Sequence, residues 1–239
     1  MIEIYRKSWS CFRQGFWLYV FIAVMLEVLP LLVSGKTATP TLIGLTIFAY
    51  FLHRHFLFSE AIGAVKTNAT SDAPPTKMGW FVLVTLATVF GPILFAGVIM
   101  LKFLPPEYHN GSNLSGTLML IMMPLYLVSL GFFGTALPAS VARRPEYRIA
   151  KGFRLSFGIM GRLIVGPALF SVLTFALVVG CSWGLQKITG PNAPWTEHGF
   201  GITFRLIGLF NTTLAVAILC QAYRKIVPEA QLNDLSPQL

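Results

Sequence analysis

Six long apolar stretches constrain the fold of this chain more than any other feature of its sequence. A helix needs about 20 mostly apolar residues to cross a bilayer, and each stretch has roughly that length. The predicted spans are residues 16–34, 41–58, 79–103, 117–138, 163–183 and 202–222. They account for most of the 239 residues. The sequence therefore predicts an all-α, polytopic membrane protein in which residues 1–239 form a single integral membrane domain.

The composition is typical of a membrane protein rather than of a soluble one. Hydrophobic residues make up 55% of the chain and charged residues only 11%, whereas about 25% of the residues of a soluble domain are charged. The formal net charge of +9 is also found in proteins that bind nucleic acid. Here, however, the basic residues lie in short loops between apolar spans and have no free face with which to line a groove. We therefore expect anionic phospholipid headgroups, and not nucleic acid, as the partner.

The segment Val141–Gly166 lies between the fourth and fifth spans and combines an apolar helical face with a basic one. It contains six of the 18 basic residues. Helical spacing places Ile149, Ala150, Phe153, Phe157 and Met160 on one face, opposite most of the positive charge. A basic amphipathic helix of this kind lies in the headgroup layer of the cytoplasmic leaflet. The residues predicted to bind lipid headgroups are Arg143, Arg144, Arg148, Lys151 and Arg154.

The distribution of positive charge sets the orientation of the spans. With six spans, most of the 18 Lys and Arg residues fall on the side that holds both termini. Short loops rich in Lys and Arg stay in the cytoplasm. We therefore expect a multi-pass protein of the bacterial inner membrane with both termini in the cytoplasm.

Glu27 lies inside the first predicted span, and Arg205 lies inside the sixth. Such residues are costly in lipid, and they usually pair with each other or serve a function. The rise of a helix places both in the outer half of the membrane, within side-chain reach of each other. The sequence therefore predicts an intramembrane ion pair that joins the first and last spans.

Aromatic and basic residues recur before two of the spans, as Tyr5-Arg6-Lys7-Ser8-Trp9 with Phe12-Arg13 and as Lys151-Gly152-Phe153-Arg154. In this pattern and in its number of spans, the chain resembles YciC-type bacterial inner-membrane proteins and the membrane domain associated with glycerophosphodiester phosphodiesterases. The resemblance implies a helical membrane domain and carries over no catalytic residue. The recurrence also indicates two related hairpins with a third between them, although any cytoplasmic helix end collects such residues.

Motifs for catalysis and for metal or cofactor binding are absent from the sequence, which contains no GxSxG, P-loop, HExxH or CxxC pattern. On a helix, His53 and His55 point roughly 200° apart and do not share an ion easily. We therefore predict no cofactor and no metal site. We also expect a non-catalytic envelope, assembly or interaction role with a membrane-protein partner that the sequence does not identify.

Two other classes of function stay open. A small transporter or pore subunit would use Glu27 and Arg205, and the Gly-Pro pairs would interrupt its helices. The Gly-Pro pairs are Gly91-Pro92 and Gly166-Pro167, and the polar residues best placed to line a path are Asn211, Thr212 and Thr213. A membrane-embedded lipid enzyme would instead need histidines or acidic residues gathered at one membrane face.

Overall fold

The computed structural model describes residues 1–32, 39–65, 73–103, 105, 111–143, 153–189 and 194–227. Every regular element within these ranges is helical, and they contain no strand, so the predicted all-α class is confirmed. The helices are α1 (Ile2–Gln14), α2 (Phe16–Leu32), α3 (Thr39–Phe58), α4 (Gly79–Thr85), α5 (Gly91–Phe103), α6 (Gly111–Phe133), α7 (Ala136–Ala142), α8 (Phe153–Leu163), α9 (Leu169–Thr189) and α10 (Pro194–Ile226). A first π turn, Leu86–Phe90, joins α4 to α5, and a second, Ile164–Ala168, joins α8 to α9.

Two helical runs in the described ranges, Ser156–Cys181 and Gly199–Ile226, are long and apolar enough to cross a membrane. Two bent pairs also qualify if each pair is counted as one span. These are Ile2–Gln14 with Phe16–Val28, bent by 78°, and Pro124–Phe133 with Ala136–Ala142, bent by 41°. The described part of the chain therefore has two to four candidate membrane-spanning helices, as is typical of a membrane protein.

The chain packs as two compact units, each assembled from distant segments. The first unit comprises Met1–Phe56, Ala61–Gly63 and Arg162–Ile218, and the second comprises Leu57–Glu60, Ala64–Gly161 and Leu219–Leu239. In both units, segments far apart in sequence pack together. The single integral membrane domain that the sequence predicts stays a prediction.

The first unit has an aromatic core where α1, α2, α3, α9 and α10 meet. The ring of Phe12 lies 4.7 Å from that of Tyr19 and 5.5 Å from that of Phe210. The ring of Phe210 also lies 4.9 Å from that of Phe170, and the ring of Tyr19 lies 5.0 Å from that of Phe48. Such pairs add about 0.5–1.5 kcal/mol each beyond the area that they bury. Phe12 therefore ties the polar helix α1 to the apolar helices.

Helix α1 is amphipathic, and it meets α2 at 78° instead of continuing it. Its buried residues are Ile4, Ser8 and Cys11. The exposed face carries basic residues and an aromatic one, namely Arg6, Lys7, Arg13 and Trp9. A helix with one buried stripe and one basic face is suited to the surface of a bilayer rather than to its interior.

The second unit contains the first π turn, which precedes Gly91-Pro92. Because proline has no N–H, Pro92 cannot donate a hydrogen bond to the carbonyl of Thr88, four residues earlier. The hydroxyl of Ser129, on α6, donates to that carbonyl oxygen at 3.0 Å. In the same unit, α4 packs against α7, and α5 packs against α6. The helix interruption predicted at this Gly-Pro pair is therefore a π turn whose freed carbonyl has a partner.

The second π turn contains Gly166-Pro167 and lies in the first unit. The hydroxyl of Tyr5, on α1, donates to the carbonyl oxygen of Gly166 at 3.0 Å. Both Gly-Pro pairs thus lie at π turns, and at both turns a hydroxyl from another helix donates to a backbone carbonyl. Such bonds compensate for hydrogen bonds that an irregular helix loses.

The buried face of α8 differs from the predicted apolar face. Ser156, Ile159 and Met160 are buried, whereas Phe157, predicted to share a face with Met160, is exposed. Met160 packs against Gly131 of α6, where an added Cβ would lie 2.5 Å from the Cγ of Met160. The two described side chains of the predicted apolar face thus differ in exposure, because a helical pattern marks apolar residues without separating contact with protein from contact with lipid. Residues Ile149 and Ala150 of the same predicted face lie outside the described residues.

Candidate functional site

The ionisable residues of the first and sixth predicted spans lie together in the first unit. The Nε atom of Arg205, on α10, donates to Oε2 of Glu27, on α2, at 3.4 Å. The arginine side chain is 41% exposed and the glutamate side chain only 21%. The pair is therefore partly buried, and its cationic member is the more accessible one.

A glycine one helical turn before Arg205 makes room for the carboxylate. An added Cβ at Gly201 would overlap Oε1 of Glu27 and would lie 2.6 Å from its Cδ atom. Gly201 and Arg205 are four residues apart, so they share a face of α10. The role of Gly201 was not predicted from the sequence. The four-residue spacing between Gly201 and Arg205 could have indicated it. That spacing is informative, however, only when α2 is known to pack against α10.

A second polar contact joins α9 to α10. The Nδ2 atom of Asn211 donates to Oγ of Ser171 at 2.6 Å. The Oδ1 atom of the same amide is buried and has no hydrogen-bond partner among the described residues. A buried polar pair of this kind holds two apolar helices in register, since the alternative is an unpaired polar group in lipid.

The other two polar residues proposed to line a path point elsewhere. Thr212 is bonded to the carbonyl of Gly208 in its own helix, at 2.9 Å. Thr213 is fully buried and lies 2.7 Å from the hydroxyl of Tyr19. Asn211, Thr212 and Thr213 therefore face three directions, and the structure does not bring them together.

The buried contact of Tyr19 extends to a thiol on α1. The Sγ atom of Cys11 lies 3.7 Å from the hydroxyl of Tyr19. Burial raises the pKa of the Cys11 thiol to about 11, and the hydrogen bond from Tyr19 offsets only part of this rise. The raised pKa favours the protonated thiol. Because the thiolate is the reactive form of cysteine, Cys11 is a poor nucleophile.

An open groove runs between α9 and α10, beside the Asn211–Ser171 contact. Its volume is about 460 Å³. Its walls include Val172 and Phe204, which are 64% and 39% exposed. The groove therefore opens sideways, away from the core of the first unit. The residues that line it are Ser171, Val172, Phe204, Ile207, Gly208 and Asn211.

The structure describes only one side chain of the predicted headgroup-binding set. Arg143 ends α7 in a left-handed conformation, with φ of 57°. Its Nη2 atom donates to the carbonyl of Pro75 at 3.2 Å, a contact within the second unit. Residues Arg144, Arg148 and Lys151 lie outside the described residues, as does the side chain of Arg154. Lipid-headgroup binding by this set stays a prediction.

Within the described ranges, no group of three or more His, Cys, Asp or Glu side chains is arranged to hold a metal ion. The candidate functional features of the described residues are thus an ion pair, an amide–hydroxyl contact and an apolar groove. All three involve α10, and none of the contacts shown resembles a nucleophile with a base.

Comparison with known proteins adds no family to this picture. The chain matches no protein-family model, no curated protein and no solved structure.

Proposed function

We propose that this chain is a six-span protein of the bacterial inner membrane with both termini in the cytoplasm, and that it has a non-catalytic assembly or interaction role in the envelope. The observation that carries the proposal is the contact between Glu27 and Arg205. The two charges within predicted spans neutralise each other and join helices from opposite ends of the chain. Such an arrangement serves to hold a helical bundle together.

The amphipathic helix α1 supports the proposed topology. Its basic face and its 78° angle to α2 suit a helix that lies in the cytoplasmic headgroup layer before the first span enters the membrane. The resemblance to YciC-type proteins belongs to the same proposal. The six-span arrangement would make α3 the second span and the α4–α5 run the third.

Transport is the less favoured reading of the same residues. A polar path would need side chains that share one direction, whereas the hydroxyl of Thr212 bonds to its own helix and that of Thr213 to its own helix and to Tyr19. An assembly role needs only a stable bundle with an accessible surface.

Cysteine labelling tests the topology. The three native cysteines must first be replaced with serine, because Cys181 is exposed and would react. Single cysteines at Gly35, Asn110 and Asn192 should then react with an impermeant maleimide in intact cells. Cysteines at two cytoplasmic positions, Thr70 and Ala150, should react only after permeabilisation. Labelling of the Thr70 variant in intact cells would overturn the six-span arrangement.

Cross-linking tests the interaction role. Membranes should be treated with a bifunctional reagent, and the tagged full-length chain should be purified and analysed by mass spectrometry. We expect a small and reproducible set of membrane proteins that is lost without the reagent. Recovery of this chain alone, in repeated experiments at native expression, would contradict an assembly or interaction role.

A further inference from the structure

The groove between α9 and α10 has the form of a slot rather than that of a flat helical surface. On α10 it extends from Phe204 to Asn211, which is about 10 Å along the axis at 1.5 Å per residue. Its volume of about 460 Å³ lies within the range of about 300–1,000 Å³ that small-molecule sites occupy. A second membrane helix would instead need a contact face that continues over most of a span. The slot is therefore better matched to a flexible chain than to a helix.

A partly exposed cation, Arg205, lies on α10 one turn from a residue that lines this slot, although it is not itself a lining residue. Arg205 precedes Gly208, one of the lining residues, by three positions, so the two are neighbours on the surface of α10. Glu27 contacts the arginine at Nε, and it is the one hydrogen-bonding partner that Arg205 has among the described residues. A guanidinium carries five N–H donors in a planar fork, which suits phosphate oxygens. The exposed arginine can therefore bind a phosphate without releasing the glutamate.

We propose that Arg205 and the α9–α10 groove form a binding site for one phospholipid of the outer leaflet, with the phosphate on Arg205 and an acyl chain in the groove. The leaflet assignment rests on the proposed topology, in which the sixth span runs inward from about Gly201. Arg205 then lies about 6 Å below the outer end of the span and Asn211 about 15 Å below it. The hydrocarbon core is about 30 Å thick, so the groove, which ends about 15 Å down at Asn211, lies within the outer leaflet. A long side chain such as that of Arg205 reaches the headgroup layer from this depth.

Two variants separate the two halves of the site. An added Cβ at Gly208 meets no atom within 4 Å, so Gly208→Leu is compatible with the fold but fills the groove. Arg205→Gln keeps the groove and removes the cation. The matched control is Gly180→Leu, because Gly180 is an exposed glycine of α9 outside the groove whose Cβ also meets no atom within 4 Å.

The measurement is native mass spectrometry of the full-length chain, released from nanodiscs that contain phosphatidylglycerol. We expect Arg205→Gln and Gly208→Leu each to lower the fraction of chain that retains one lipid by about tenfold, the scale of one charge-assisted contact. The Gly180→Leu control should retain lipid as the wild type does. Glu27→Gln should raise retention, because it removes a negative charge that repels the phosphate bound to the same guanidinium. This increase is not expected from a variant that is merely misfolded.

Each other outcome overturns the proposal. Unchanged retention in both Arg205→Gln and Gly208→Leu would show that the lipid binds elsewhere. Loss in Arg205→Gln alone, or displacement of the lipid by millimolar inorganic phosphate, would reveal an anion site without a chain-binding groove. Loss of a dimer instead of a lipid in Gly208→Leu would identify a second copy as the occupant. Cysteine labelling reports on the topology independently, so failure of the lipid site and failure of the six-span arrangement are distinguishable.

Discussion

The contact between Glu27 and Arg205 permits a quantitative test of what holds the first and last predicted spans together. Arg205→Gln leaves the carboxylate without a partner, and Glu27→Gln leaves the guanidinium without one. The double variant Glu27→Leu/Arg205→Leu removes both charges and replaces them with apolar side chains. The comparison of these three variants separates the pair interaction from the cost of placing charges in the membrane.

The magnitude follows from the geometry of the pair. At 3.4 Å, the attraction between unit charges is about 5 kcal/mol at an effective dielectric constant of about 20, and about 1 kcal/mol in bulk water. Because the arginine is 41% and the glutamate 21% exposed, screening by water and headgroups reduces the attraction, and we expect a coupling energy of about 1–3 kcal/mol. Each single variant should lose roughly 2–4 kcal/mol of unfolding free energy, since it also leaves a charge unpaired in the membrane. The double variant should lose less than either single variant.

In the assay, the full-length chain is unfolded in mixed micelles by titration with dodecyl sulfate. Unfolding is monitored by circular dichroism. Gly201→Ala provides an independent perturbation, because its Cβ would overlap the end of the flexible glutamate side chain, and it should destabilise by less than the loss of either charge. Gly199→Ala is the control on the same helix, since a Cβ at Gly199 meets no atom within 4 Å. Single-variant losses that simply add in the double variant would refute the ion pair.

Three further predictions concern packing and buried polar groups; the first two use the same unfolding assay and the third uses amide hydrogen exchange. Tyr19→Phe removes the hydroxyl bonded to Thr213, so it should lower the unfolding free energy by about 1 kcal/mol; equal stability would argue against this bond. Gly131→Leu places a side chain against α8 and should cost about 1–3 kcal/mol, whereas Gly158→Leu, in open space, should not destabilise. Ser129→Ala leaves the carbonyl of the first π turn without its donor and should speed amide exchange there several-fold; unchanged exchange would contradict that role.

The helical class and the proximity of Glu27 to Arg205 could be predicted from the sequence. Both follow from the constraints that a bilayer places on the chain, more than from the detailed packing of side chains. Long apolar stretches predict helices, since a bilayer offers no hydrogen bonds to an extended backbone. Charges of opposite sign at similar depth predict a pair, because lipid leaves them few other partners. These constraints act on each residue at its own depth and do not require knowledge of neighbouring helices.

Features that depend on which helices are neighbours were not predictable in the same way. Gly201 has a function only because the Glu27 carboxylate lies against it, and Ser171 only because Asn211 lies opposite. The 78° bend between α1 and α2 could not be predicted from a proline, because the junction contains none. The exposure of Phe157 reflects contact with the surroundings of the unit, which a helical pattern cannot distinguish from contact with protein.

The first π turn determines which neighbours a single apolar helix can have. A π turn holds one residue more than an α turn, so it advances the helical phase by about 100°. On one side of this turn α4 packs against α7, and on the other α5 packs against α6. Deletion of one residue from Leu86–Phe90 would remove the extra residue of the turn and rotate α4 relative to α5 by that angle. Only one of the two interfaces would then keep its register, so the length of this turn constrains the chain independently of the identities of its residues.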